Sequence, residues 1–239
     1  MRSVGASHIG KVRSENQDTI FFSDQPVGKL ENLYIVADGM GGHRAGGYAS
    51  SYAVRRFVEL MKESEEEDKI ESMKAAIAAV NQEILEKCRS DSSYAGMGTT
   101  FVAAVVSESQ VTVMNIGDSR LYYGAKNLEQ ITVDHSYVEE LVRAGALRRD
   151  QIRLHPKKNL ITRAVGAASA EPDFFQFQAQ EGYLLLCSDG LTNMIADDEL
   201  KELLLDHSQL ENKANQMIAR ANEYGGRDNI SLVIVELKR

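Results

Sequence analysis

Four aspartates stand where an apolar run meets a turn. Leu33-Tyr34-Ile35-Val36-Ala37 has the β-branched and aromatic character of a buried strand and stops at Asp38, with Gly39, Gly41 and Gly42 close behind. Val111 to Ile116 runs into Gly117-Asp118-Ser119-Arg120, and Tyr183 to Ser188 runs into Asp189-Gly190. Gly225-Gly226-Arg227-Asp228-Asn229 leads into Ile230 to Val235. One acid at a strand end is routine; Asp38 alone reads equally well as the cap of a helix starting near His43. Four acids at four such junctions point to a shared carboxylate cluster. Crowded carboxylates repel one another unless cations hold them. All-oxygen ligation without a Cys or His pair fits hard divalent ions, Mg²⁺ or Mn²⁺, and glycines let main-chain carbonyls approach the same ion.

Other constellations carry less. Arg13-Ser14-Glu15-Asn16-Gln17-Asp18 precedes the strand-like Thr19 to Phe22 and reads as a solvated loop or as part of a site. Gly5-x4-Gly10-Lys11-Val12 misses a phosphate-cradling loop, because no Ser or Thr follows the lysine. Gly39-x-Gly41 is not a dinucleotide fingerprint, since Arg44 stands where the third glycine belongs. No Asp-x-Asp-x-Asp-Gly spacing for a calcium loop occurs. Thiol chemistry of the Cys-x5-Arg kind is excluded as well: six positions after Cys187 is Asn193, and six after Cys88 is Tyr94.

The elements that must position these residues follow from periodicity. Arg2 to His8 reads as a short edge strand. Ala45 to Lys62 and Asp68 to Arg89 are helical, the second with an apolar stripe through Met73, Ile77, Val80 and Ile84. Gly98 to Val106, Val111 to Ile116 and Leu121 to Tyr123 read as successive hairpins of a meander. Phe174 to Phe177, Tyr183 to Ser188 and Ile230 to Leu237 are strands; Asp197 to Leu205 and Leu210 to Tyr224 are helices. This is an α+β layered plan. Residues 135–170 interrupt it. From Tyr137 to Ala170 this excursion carries seven Lys or Arg against three acids, a window of +4 in a chain of −8. Such a window would steer anionic proteins toward it.

Composition sets the bounds. At 239 residues, 43% apolar and 26% charged, the chain is long enough for a sizeable core and ordinary for a globular protein. A net charge of −8 argues against a nucleic-acid partner. The longest apolar run, Phe101 to Val106, is far too short to span a bilayer, and no signal segment opens the chain. Cys88 and Cys187 read as free thiols of a reducing cytoplasm.

Taken in order, Arg13-x-x-Asn16-Gln17-Asp18, Asp38-Gly39-Met40-Gly41-Gly42-His43, Gly98-Thr99-Thr100, Gly117-Asp118-Ser119-Arg120, Ser188-Asp189-Gly190 and Asp228-Asn229 resemble the PPM family of metal-dependent serine/threonine protein phosphatases, the type 2C phosphatases, in a short bacterial form. The likeness spans about Ser3 to Leu237, with no departure at the motif positions. It implies one catalytic domain over residues 1–239: a four-layer α-β-β-α sandwich of two antiparallel sheets flanked by helix pairs, with a flap at 135–170. It implies two bridged Mn²⁺ or Mg²⁺ ions, with Asp38 bridging, Gly39 giving a carbonyl, and Asp189 and Asp228 completing the set. A metal-bridging hydroxide would attack phosphoserine or phosphothreonine directly. Asp18 would orient metal-held water, Arg13 would grip the phosphate and His43 would protonate the leaving group. Asp118 would hold a third, weaker ion, unless it only caps its turn and pairs with Arg120. The resemblance further implies action on phosphoproteins, among them the substrates of an opposing Ser/Thr kinase and the kinase itself; a cytoplasmic monomer is the expected form. The competing reading is a metal-binding module without turnover, though a silent relative would usually have lost an acid.

Overall fold

Apolar runs bounded by turn residues become strands here, and apolar stripes at helical spacing become helices. The computed structural model describes residues 1–42 and 45–237. The chain opens with β1 (Arg2–His8), β2 (Asp18–Ser23) and β3 (Leu33–Met40), then α1 (Ala45–Glu63) and α2 (Lys69–Ser90). The Asp68 side chain starts α2 by accepting from the Ile70 and Glu71 N–H groups at 2.8 and 3.1 Å. Next come β4 (Gly98–Thr99), β5 (Phe101–Ser107), β6 (Gln110–Ile116), β7 (Arg120–Gly124) and β8 (Leu128–Gln130), then the short α3 (Tyr137–Arg143) and a 3₁₀ turn at Arg149–Leu154. The chain closes with β9 (Asp173–Gln178), β10 (Gly182–Cys187), α4 (Asp189–Thr192), α5 (Asp197–Leu205), α6 (Leu210–Glu223) and β11 (Ile230–Leu237).

All strand pairings are antiparallel and fall into two sheets. One runs β1-β11-β10-β7-β8; the other runs β2-β3-β5-β6-β9, with β4 added to the end of β3. Three apolar clusters separate four layers. Leu33, Ile35, Phe57, Ile77, Ile84 and Phe101 join α1 and α2 to the second sheet. Tyr34, Val36, Val102, Leu184, Leu186 and Val233 lie between the sheets. Leu185, Leu191, Leu204, Met217, Leu232 and Ile234 bury α5 and α6 against the first sheet. Each such side chain, removed from water, contributes about 1.5–3 kcal/mol. The expected α+β sandwich, helix pairs outermost, is the architecture found.

Two local expectations change. β3 continues past Asp38 to Met40, because β4 pairs Thr99 with Gly39 and Gly98 with Met40. The meander breaks after β6: the Gly117 turn carries the chain to the other sheet, where β7 pairs with β10. Apolar alternation marks a strand but not the sheet it joins. Residues 135–170 hold α3 and the 3₁₀ turn; the bridge Ser136↔Ile161 closes the excursion on itself, and Thr99↔Val165 ties it to β4.

Candidate active site and metal centre

Both sheets end their central strands at one cleft of about 840 Å³, whose lining includes Arg13, Asp38, Gly39, Asp118, Asp189 and Asp228. Asp18 stands directly opposite Asp38 in the β2–β3 ladder. Backbone contacts fix Asp38. Its N–H donates to Thr100 Oγ1 at 2.9 Å, and its carbonyl accepts from the Thr100 N–H and Thr99 Oγ1, both at 2.9 Å. Thr100 Oγ1 lies 2.7 Å from Ser119 Oγ, which couples this strand end to the turn bearing Asp118. That is the work of Gly98-Thr99-Thr100 and of Ser119. Gly39 is required by contact: a Cβ there would lie 2.1 Å from the Gly46 carbonyl oxygen.

Asp189 opens α4, and Asn193 Nδ2 donates to its Oδ2 at 2.8 Å. A Cβ on Gly190 would lie 1.9 Å from the Asn229 carbonyl oxygen, so only glycine lets α4 dock on β11. Asp228 receives Arg13 Nη2 at 2.8 Å and the Asn229 N–H at 2.9 Å. Asn229 in turn anchors the loop that carries Arg13: its Oδ1 accepts from the Gln17 N–H, and its Nδ2 donates to the Ile9 and Glu15 carbonyls, each at 2.9 Å. Ser188 Oγ donates to Asp18 Oδ2 at 2.9 Å.

The acids strain one another electrostatically. Burial, then the charges of Asp18, Asp189, Asp118 and Asp228, push the Asp38 carboxyl well above its ordinary range. Burial and Asp228 push Asp189 up to about 6, and burial pushes Asp18 to about 6 despite bonds from Ser231 and Ser188. Burial, then Asp189 and Asp134, raises Asp118. Among the described residues, four buried side-chain polar atoms lack a hydrogen-bond partner, and two are here: Asp18 Oδ1 and Asp189 Oδ1. Orphaned carboxylate oxygens facing other acids are the donor set a hard divalent cation takes. No three His, Cys, Asp or Glu side chains among the described residues already close into a chelating group. Arg13 draws Asp228 one way and Asn193 draws Asp189 another, so the acids line a shared cleft rather than a closed cage.

Arg120 does not pair with Asp118. Its guanidinium grips Asp134 at 2.9 and 2.7 Å and reaches the Tyr122 hydroxyl at 2.9 Å. His43 lies outside the described residues. No motif along the chain marks His135. Its Nδ1 accepts from the Gly117 N–H at 3.1 Å and its own N–H donates to the Gly117 carbonyl at 2.9 Å, locking the turn before Asp118. With Nδ1 accepting, Nε2 carries the hydrogen toward Asp173 Oδ2, 3.1 Å away, which Arg163 also holds through Oδ1. Ser93, Tyr94, Asn159 and Ile161 likewise line the cleft unannounced by any motif. Three arginines of the basic excursion are tied down: Arg148 bonds Asp150, Arg149 bonds Glu139, and Arg153 donates to the Thr192 and Ile195 carbonyls at 3.1 and 2.9 Å, pinning the excursion to the end of α4.

Two antiparallel sheets between helix pairs, with acids gathered where their central strands end, define a known class. The family model for protein phosphatase 2C matches residues 4–231, and the chain belongs to that family. It is 43% identical over 240 residues to the serine/threonine phosphatase stp of Listeria monocytogenes, covering 95% of this chain and 92% of that one. It superimposes on the S. agalactiae serine/threonine phosphatase with a TM-score of 0.92 at 37% identity, covering 99% of each chain. The catalytic domain of the serine/threonine protein phosphatase PstP, solved in complex with two manganese ions, matches with a TM-score of 0.87 at 30% identity, over 100% of this chain and 98% of that one.

Proposed function

We propose that this chain hydrolyses phosphoserine and phosphothreonine in proteins with Mn²⁺ or Mg²⁺ as cofactor. The observation that carries the reading is the cleft where Asp38, Asp118, Asp189 and Asp228 meet Arg13, with a buried Asp189 oxygen left without a partner. Asp38, the Gly39 carbonyl, Asp189 and Asp228 would hold two ions, and Asp118 with Asp189 a third, weaker one. Divalent ions, when bound, acidify water for attack on phosphorus and offset the charge of in-line displacement. The rest falls to the chain's own groups. Arg13 spends Nη2 on Asp228, leaving Nε and Nη1 donors for phosphate oxygens. Asp18, held by Ser188 and set opposite Asp38, would orient metal-held water. His43 supplies the proton that a serine or threonine alkoxide needs to depart, which an imidazole does well near neutral pH.

Residues 1–239 act as one catalytic domain with the flap at 135–170. The protein works as a cytoplasmic monomer on phosphoproteins, among them substrates of a Ser/Thr kinase and the kinase itself. Among the described residues no helix is long and apolar enough to cross a membrane. The test is hydrolysis of nitrophenyl phosphate and of a phosphoserine peptide with Mn²⁺. Both should proceed, stop on chelation and fall below a few per cent in Asp38→Ala or Asp189→Ala. Turnover indifferent to chelator would sink the reading; metal binding without turnover would return the chain to a non-catalytic module.

A further inference from the structure

The outer face of α1 and α2 carries a second groove, about 530 Å³, walled by Tyr48 and Tyr52 on one side and Glu83, Glu86 and Lys87 on the other. The backs of both tyrosine rings and of Tyr94 pack on the core beneath the helices. Tyr48 and Tyr52 stack at 5.6 Å with their planes 14° apart, and Tyr94 tilts over Tyr48 at 4.8 Å. Tyr94 also lines the cleft that holds Asp38, so a single ring stands between the groove and that cleft. From Tyr94 to Tyr52 the rings extend at most about 10 Å, the length of about three extended residues.

We propose that this groove is a specificity subsite of the phosphatase, receiving a basic side chain that lies two to four residues from the phosphorylated one. The proposal rests on the phosphatase reading above. Ring faces and carboxylates together attract cations. The chain's own cations already use these rings, with Arg55 5.5 Å over Tyr52 and Lys87 4.5 Å over Tyr94. Lys87 pairs with Asp91 at 3.1 Å, which offsets part of its charge beside the groove. Glu83 accepts from the Tyr52 hydroxyl at 2.8 Å and from Arg56 at 3.2 Å, which fixes the ring wall. Glu86 is exposed and, among the described residues, bonds the neutral Gln82 at 3.0 Å and no cation, so its charge is open to an incoming cation.

The test compares kcat/KM for phosphoserine peptides that differ only in carrying Arg, Ala or Glu at positions two to four on either side. With Mn²⁺ present, Arg should exceed Ala by about two- to fivefold at one of these positions, mostly through KM, and Glu should fall below both. Glu86→Lys, an exposed change, should remove that preference, and Tyr48→Leu, which keeps the apolar backing, should weaken it. Neither should alter nitrophenyl phosphate hydrolysis. Equal kcat/KM for Arg and Glu peptides, or a preference untouched by Glu86→Lys, overturns the subsite while leaving the phosphatase intact. No hydrolysis of nitrophenyl phosphate by the wild type overturns both.

Discussion

Asp118 shows what a single side chain's surroundings decide. Sequence left it two roles, ligand or turn cap paired with Arg120. In the fold Arg120 is committed to Asp134 and Tyr122, while Asp118 faces Asp189 across the cleft. An acid kept among acids, without a salt-bridge partner among the described residues, contributes little to stability as a bare charge. Asp118→Asn should therefore hold or slightly raise the melting temperature, since it removes like-charge repulsion. By calorimetry it should keep high-affinity Mn²⁺ binding and lose the weak phase of metal activation, with most of kcat. An unchanged two-phase activation curve would return Asp118 to turn capping. The acids were legible because each ends a run of apolar residues, a local pattern. His135 and Tyr94 were not, because their importance comes from contacts with Gly117 and the cleft that no spacing along the chain encodes.

Helices and strands are held by a few polar joints as well as by apolar faces. In α6, Lys213 is sealed from solvent and its ammonium donates to Asp206 Oδ1 at 2.6 Å and to the Asp206 carbonyl at 2.5 Å, under the Tyr183 ring. This joint fixes the α5–α6 connection over the first sheet. Asp206→Asn leaves a buried cation without its counterion, a change worth about 1–3 kcal/mol once the one-third exposure of Asp206 is discounted. Burial works to raise the Asp206 carboxyl, but Lys213 and Ser208 outweigh it and hold it at about 2. The unfolded chain titrates near 3.9, so this joint's contribution is complete above about pH 4 and is lost as pH falls toward 2. Acid melts should show that loss in the wild type and a flatter profile in Asp206→Asn. Sequence placed α6 and Leu210 correctly but gave Lys213 no role. A lysine on a helix is read as solvated until its neighbours are known.

At the scale of the molecule, part of the net charge of −8 is turned inward, onto the cleft, and ions there act on the whole fold. Saturating Mn²⁺ at about a hundredfold over its dissociation constant should add about 2.7 kcal/mol, or about 5–11 °C in melting temperature, and chelation should reverse it. The layered α+β plan was readable from periodicity. Sheet membership was not, because pairings such as β1 with β11 join the two ends of the chain, and apolar runs of similar composition do not choose among partners.

The rung that sets Asp18 against Asp38 has a bearing on the order of events in folding. The link between β2 and β3 closes the ladder at Ser23 and Leu33, so the two acids occupy its far, open end. Rungs beside the link close first, since they fix the least chain, and the acidic rung closes late against its own repulsion. If that rung closes after the rate-limiting barrier, ions meet the site only then. The stability they add should appear in the unfolding limb, as a slower escape from the native state, and leave the refolding rate untouched. Stopped-flow refolding at equal speed in Mn²⁺ and in chelator, with unfolding slowed by the metal, is the expected pair of results. Refolding accelerated by Mn²⁺ would mean that the acids gather around the ion before the sheets close.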